Sequence, residues 1–133
     1  MISVSDDEFA AMISDAMDEL PPDHMKAVKN VAITYADDPT PEQRERLRLR
    51  GDQTLFGLYE GVSLAKRNGM TGFGPDRITL FKNPLSAFAN DYTQLRAQVK
   101  HTLWHEIAHY FGLDHPAIYA LEQKGRPQNP ERN

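Results

Sequence analysis

His105, Glu106 and His109 stand in the order His-Glu-x-x-His, and Gly112 and His115 extend the pattern to H-E-x-x-H-x-x-G-x-x-H. On an α-helix residues i and i+4 lie one above the other, so His105 and His109 direct two imidazoles at a single ion with Glu106 beside them. Gly112 tolerates the left-handed conformation common just past a helix end, a turn that swings His115 back toward the same ion. Three protein ligands leave one position of a tetrahedral zinc open, as catalytic rather than structural sites do. Zinc in such a site activates water and polarises a carbonyl, and Glu106 is placed to take the water's proton and pass it to a leaving amine. The chemistry these residues suit is zinc-dependent hydrolysis of a peptide bond.

The spacing is specific. At this composition about one chain of this length in a hundred carries His-Glu-x-x-His by chance, and the added glycine and third histidine lower that to a few in 10⁵. Asp114 and Glu122 compete with His115 as third ligand. His101, one turn before His105, shares its face but lies outside the motif, which suits a solvated or supporting role. His24, alone after Pro21-Pro22, reads as a surface residue.

A helix must carry these side chains, and the chain supplies one. Asp91 and Gln94 form a capping pair, and Tyr92, Leu95, Val99, Leu103, Ile107 and Phe111 make an apolar stripe, which predicts a helix from about Tyr92 to Phe111 with the histidines on its polar flank. Upstream, Ser5 to Glu8 has the form of a capping box. Phe9, Met12, Ile13, Ala16, Met17 and Leu20 then give a first helix from about Asp6 to Glu19, stopped by Pro21-Pro22. Asp23 to Lys29 reads as one more short turn of helix. Val31 to Tyr35 reads as a strand, and Leu55 to Leu64 as strand-turn-strand or one strand bent at glycine. Lys66 to Pro75 reads as a loop, and Arg77 to Phe81 as a half-buried strand closed by Asn83-Pro84. Thr40 to Gln53 reads as a short surface helix or loop whose arginines, at every second position from Arg44 to Arg50, scatter round a helix and are diluted by Glu42, Glu45 and Asp52.

The 133 residues fit one domain, 1–122, that buries roughly two-thirds of the surface its unfolded chain exposes, followed by a tail, 123–133, with nothing apolar to bury and a disordered reading. Pro116 to Glu122 reads as a final short helix. Cysteine is absent, so disulfides and thiolate metal sites are excluded and a metal here takes nitrogen and oxygen ligands. A net charge of −4 with interspersed signs offers no footprint for nucleic acid or an acidic membrane. The N-terminus lacks the basic and apolar regions of a signal, and no segment reaches the roughly 18 apolar residues of a spanning helix, so a cytoplasmic location is expected.

The motif resembles that of the zincins, and its extended form looks like the metzincin signature. No methionine follows Met70, however, so the metzincin Met-turn downstream of the third histidine is missing. The whole chain resembles the minimal zincin family of small bacterial metallopeptidases with H-E-x-x-H-x-x-G-x-x-D/H, also over Leu55 to Val62 and Pro75 to Phe81, covering roughly residues 5–122. That resemblance implies an α+β fold, a small mixed β-sheet packed against the long active-site helix. It implies His105, His109 and His115 as Zn2+ ligands, Glu106 as general base, and a peptide or protein substrate. In larger zincins an edge strand pairs with the substrate beside the metal, for which Arg77 to Phe81 is the expected equivalent. A tyrosine often stabilises the oxyanion in such enzymes; Tyr59 and Tyr119 are candidates, with packing or surface roles weighing against both. Two alternatives stand. A bacterial rRNA-processing endoribonuclease family has a similar three-histidine helix, though with glycine where this chain has Glu106, and a zinc-binding module with little catalysis is the other.

Overall fold

The computed structural model describes residues 2–22, 24, 31–61 and 76–111. Helix α1, Asp6–Asp18, begins as its capping box predicts: the Ser5 hydroxyl accepts from the Glu8 N–H at 3.1 Å and the Glu8 carboxylate accepts from the Ser5 N–H at 2.8 Å. The Ser5 N–H, with the Ser5 hydroxyl as a second donor, holds the Glu8 carboxyl below its ordinary range. Its apolar stripe, Phe9, Met12, Ile13 and Ala16, is buried. Full burial of one large side chain of this kind contributes about 1.5–3 kcal/mol.

Among the described residues three strands form one mixed sheet: β1, Val31–Ala36; β2, Gly57–Glu60; and β3, Asp76–Phe81. The order is β1-β3-β2, with β1 parallel and β2 antiparallel to β3. This corrects one expectation. Arg77 to Phe81 is the central strand, its backbone hydrogen-bonded on both sides, so it cannot add a substrate strand. β2 is the edge nearer the long helix. The half-buried reading also fails for β3, because Thr79 is buried with Ile78, Leu80 and Phe81, and only Arg77 is exposed. Polar-apolar alternation marks one solvated face, but a central strand with both faces covered buries its threonine as well.

Between β1 and β2, helix α2, Pro41–Arg46, starts with a second capping box, Thr40 with Gln43 at 3.0 and 2.9 Å, and a proline in its first turn. The arginines here serve the structure. Arg44 donates to the carbonyls of Arg50 and Gln53 at 2.7 and 2.8 Å, closing the loop, and Arg46 reaches Glu60 at 3.1 Å.

Directly after β3 the chain turns into helix α3, Lys82–Ala87. From the sequence Asn83-Pro84 reads only as the strand's end. Proline in a first turn loses no intrahelical hydrogen bond, so it opens this helix as well as closing the strand. Lys82 ties the junction down through Asp6 at 2.6 Å and Asp37 at 3.5 Å.

The long helix α4, Tyr92–Tyr110, lies within a residue of its predicted bounds. Asp91 accepts from the Gln94 N–H at 2.7 Å, while the Gln94 side chain returns to the Asn90 N–H at 2.6 Å, one residue earlier than in a regular capping box. Leu95, Val99, Leu103 and Ile107 form the buried stripe, packed among α1 and the sheet. Tyr92 stays exposed at the helix start, its hydroxyl donating to the Ser3 carbonyl. The fold is α+β, a small mixed sheet with a long helix packed against it. No helix among the described residues is long and apolar enough to cross a membrane.

Candidate active site

Helix α4 presents three different faces. Leu95, Val99, Leu103 and Ile107 turn into the core. Thr102 and Glu106, four residues apart, are buried against β2. His101, His105 and His109 run up the remaining flank, each half-buried. Helical periodicity alone produces this division, since these histidines recur every four residues as the core residues do, rotated round the axis.

The histidine ladder is close-packed. The rings of His105 and His109 are 4.9 Å apart at 74°, and that of His101 is 6.3 Å from His105. One donor atom from each of His105, Glu106 and His109 falls within 4.8 Å of the others. Zinc–nitrogen bonds are about 2.0–2.1 Å long, so two imidazoles one turn apart offer zinc two nitrogen donors, with the Glu106 carboxylate beside them within reach of a water on the ion. The residues therefore fit the metal. His101 stands outside this cluster. His115, Asp114, Glu122 and Tyr119 lie outside the described residues, as do the short helices read at Asp23 to Lys29 and Pro116 to Glu122.

Glu106 has the more unusual setting. It is 8% exposed, and no ion pair reaches it among the described residues. Burial pushes its carboxyl up to about 7, opposed by a hydrogen bond from the Tyr59 backbone N–H. Strand register explains that bond. The Phe81 N–H donates to the Phe56 carbonyl at 2.9 Å, so in the antiparallel pair Phe56, Leu58 and Glu60 are the residues bonded to β3, and the backbone groups of Gly57 and Tyr59 point away from it, toward the helix.

Gly57 allows the contact. A β-carbon there would meet Thr102 Cγ2 at 2.7 Å, Leu80 Cδ2 at 3.0 Å and Glu106 Cγ at 3.3 Å. The sequence reading saw this glycine only as a bend. Glycine inside a strand also marks close approach of another element.

The family comparison agrees with the geometry. A family model described as zincin-like metallopeptidase matches residues 28–125. The chain is a member of the zincin-like metallopeptidases. The match takes in the whole sheet and α4 but begins after α1, so the helix that backs α4 in this zincin precedes the shared region. No curated protein matches the chain.

One further residue of this zincin departs from its sequence reading and another keeps the packing role that weighed in its reading. His24 is half-buried rather than on the surface, its ring 6.0 Å from both Trp104 and Phe111, so it packs on the back of α4. Tyr59 packs edge-on against Tyr110 at 5.8 Å, with its hydroxyl buried close to Gly61. The tyrosine's contribution to the site is its backbone N–H.

Proposed function

We propose that this zincin is a zinc-dependent peptide hydrolase in which His105, His109 and His115 hold the metal and Glu106 is the general base. The observation that carries the reading is the pairing of a buried carboxyl, free of ion pairs among the described residues, with two imidazoles whose donor atoms converge beside it. Buried titratable groups shifted toward neutrality and set beside a donor cluster are typical of sites that move protons.

Zinc bound there supplies a Lewis acid that activates water and polarises a carbonyl at neutral pH. Glu106 does the proton work. A carboxyl that titrates near 7 takes a proton from water on one oxygen and releases it readily to the nitrogen of the departing amine. The Tyr59 N–H keeps the other lone pairs of that carboxylate oriented while it does so. His101, one turn away, adds a polar wall to the same flank. The outward backbone groups of β2 face the helix and its Tyr59 N–H is taken by Glu106, so β2 does not inherit the substrate-pairing role expected of Arg77 to Phe81.

The test begins with elemental analysis, which should find about one zinc per chain. A peptide library is then cleaved by the zinc-loaded protein and left intact after chelation. Glu106→Gln should keep the zinc and lose the cleavage. Cleavage of RNA with no cleavage of peptides would sink the reading.

A further inference from the structure

The base of the site is held by a strand that has no side chain where it crosses the helix. β2 passes over α4 at Gly57, and the groups a β-carbon would strike there offer little room. Thr102 is β-branched and buried, and Leu80 is fully buried in the core. A contact of 2.7 Å cannot be absorbed without movement of the Thr102 side chain, the strand or the helix. Two residues further along the same strand, the Tyr59 N–H bonds the Glu106 carboxylate. The third group facing Gly57 is the Glu106 side chain itself, at its Cγ. Gly57 thus governs both how close the hydrogen-bond donor comes and how much space the acceptor's side chain has.

We propose that Gly57 is a positioning residue for Glu106: the missing side chain seats β2 on α4 so that the Tyr59 N–H fixes the carboxylate in its working orientation. This rests on the reading of Glu106 as general base. Displacement of a proton-transfer group by about 1 Å costs up to 10²-fold in rate, so the seating of one strand is worth that much here.

The clash itself provides the test, because its nearest atom can be removed. Gly57→Ala drives a methyl into Thr102 Cγ2, and Thr102→Ser deletes that carbon. In the zinc-loaded enzyme Gly57→Ala lowers kcat about 10- to 100-fold while KM changes less than about threefold and zinc content stays at the wild-type value. The double variant Gly57→Ala/Thr102→Ser recovers at least about threefold of the lost kcat, whereas Thr102→Ser alone is close to wild type.

A second readout needs neither metal nor turnover. In the zinc-free protein the Tyr59 amide proton resonates downfield and exchanges slowly; Glu106→Ala and Gly57→Ala each move it upfield, and the double variant moves it back. An amide that does not respond to Gly57→Ala, wild-type kcat in that variant, or a double variant no better than the single one overturns the proposal. If Gly57→Ala does not fold, the response of the wild-type amide to Glu106→Ala decides whether the bond exists. Absence of peptidase activity in the zinc-loaded wild type would instead defeat the hydrolase reading, and the amide measurements would still judge Gly57.

Discussion

Glu60 and Glu106 both meet strand β2, and they meet it from opposite sides. Glu60 ends the strand on the face turned away from α4, where Gln43 donates to it at 3.2 Å and Arg46 and Arg77 pair with it at 3.1 and 3.4 Å. Glu106 comes from the helix on the other face, buried, with one backbone N–H and no ion pair among the described residues. Glu60 has its countercharges built in and completes a corner of the fold. Glu106 has been desolvated without one, which costs stability and is kept where a carboxyl has work to do or a cation to join it.

The largest effect expected from this contrast comes from withdrawing that cation. His105→Ala should lose zinc, measured by elemental analysis, and reduce peptide cleavage to background. Cleavage at the wild-type rate by a zinc-free His105→Ala protein would dissolve the distinction between the two glutamates. Next is Glu106→Gln, which keeps the shape and one acceptor for the Tyr59 N–H but removes the proposed base. Peptide hydrolysis should fall about 10²- to 10⁴-fold with zinc retained. The measurement is kcat/KM on the best library peptide, with metal content checked in the same sample.

The same substitution sharpens the comparison through stability. Burial pushes the Glu106 carboxyl up to about 7 in the folded protein, against an ordinary 4.5. A group whose pKa is raised by folding favours the native state below its unfolded pKa, and that contribution disappears as pH rises through the folded value. The zinc-free wild type should therefore weaken between about pH 4.5 and 7, and the Gln variant should not. Denaturant unfolding in a chelator should find Glu106→Gln more stable at pH 8, on the order of 3 kcal/mol, and little different at pH 4. A gap that is the same at both pH values would mean that burial does not perturb this carboxyl.

Much of this arrangement was legible in the sequence because it follows from local rules. The capping residues Ser5 and Asp91, the stripe from Leu95 to Ile107 and the spacing of His105 and His109 are fixed by helical period, and the structure reproduces them. The neighbours of β3 were not legible, since which strands flank it depends on pairings between Val31 and Asp76 and between Gly57 and Leu80 that no local pattern encodes. Helix α3 was hidden behind a proline with two readings. The hold on Glu106 escaped for a related reason: its donor is a backbone N–H, which every residue but proline carries, and only the register of β2 brings it to the helix.

The smallest expected effect is the control that makes the contrast meaningful. Glu60 is a glutamate on the strand next to the site, so a sceptic could assign it any role given to Glu106. Its side chain is 17% exposed, but Arg46 and Arg77 are 60% and 56% exposed, and pairs of that kind contribute between 0 and about 1 kcal/mol. Glu60→Gln keeps an acceptor for Gln43 and removes only the charge. It should lower the unfolding free energy by about 1 kcal/mol or less, more at low salt than at high, and leave kcat/KM within about twofold of wild type. A hundredfold loss of activity in Glu60→Gln with zinc still bound would show that the outer face of β2 also belongs to the site, and that ion pairing does not separate the structural glutamate from the chemical one.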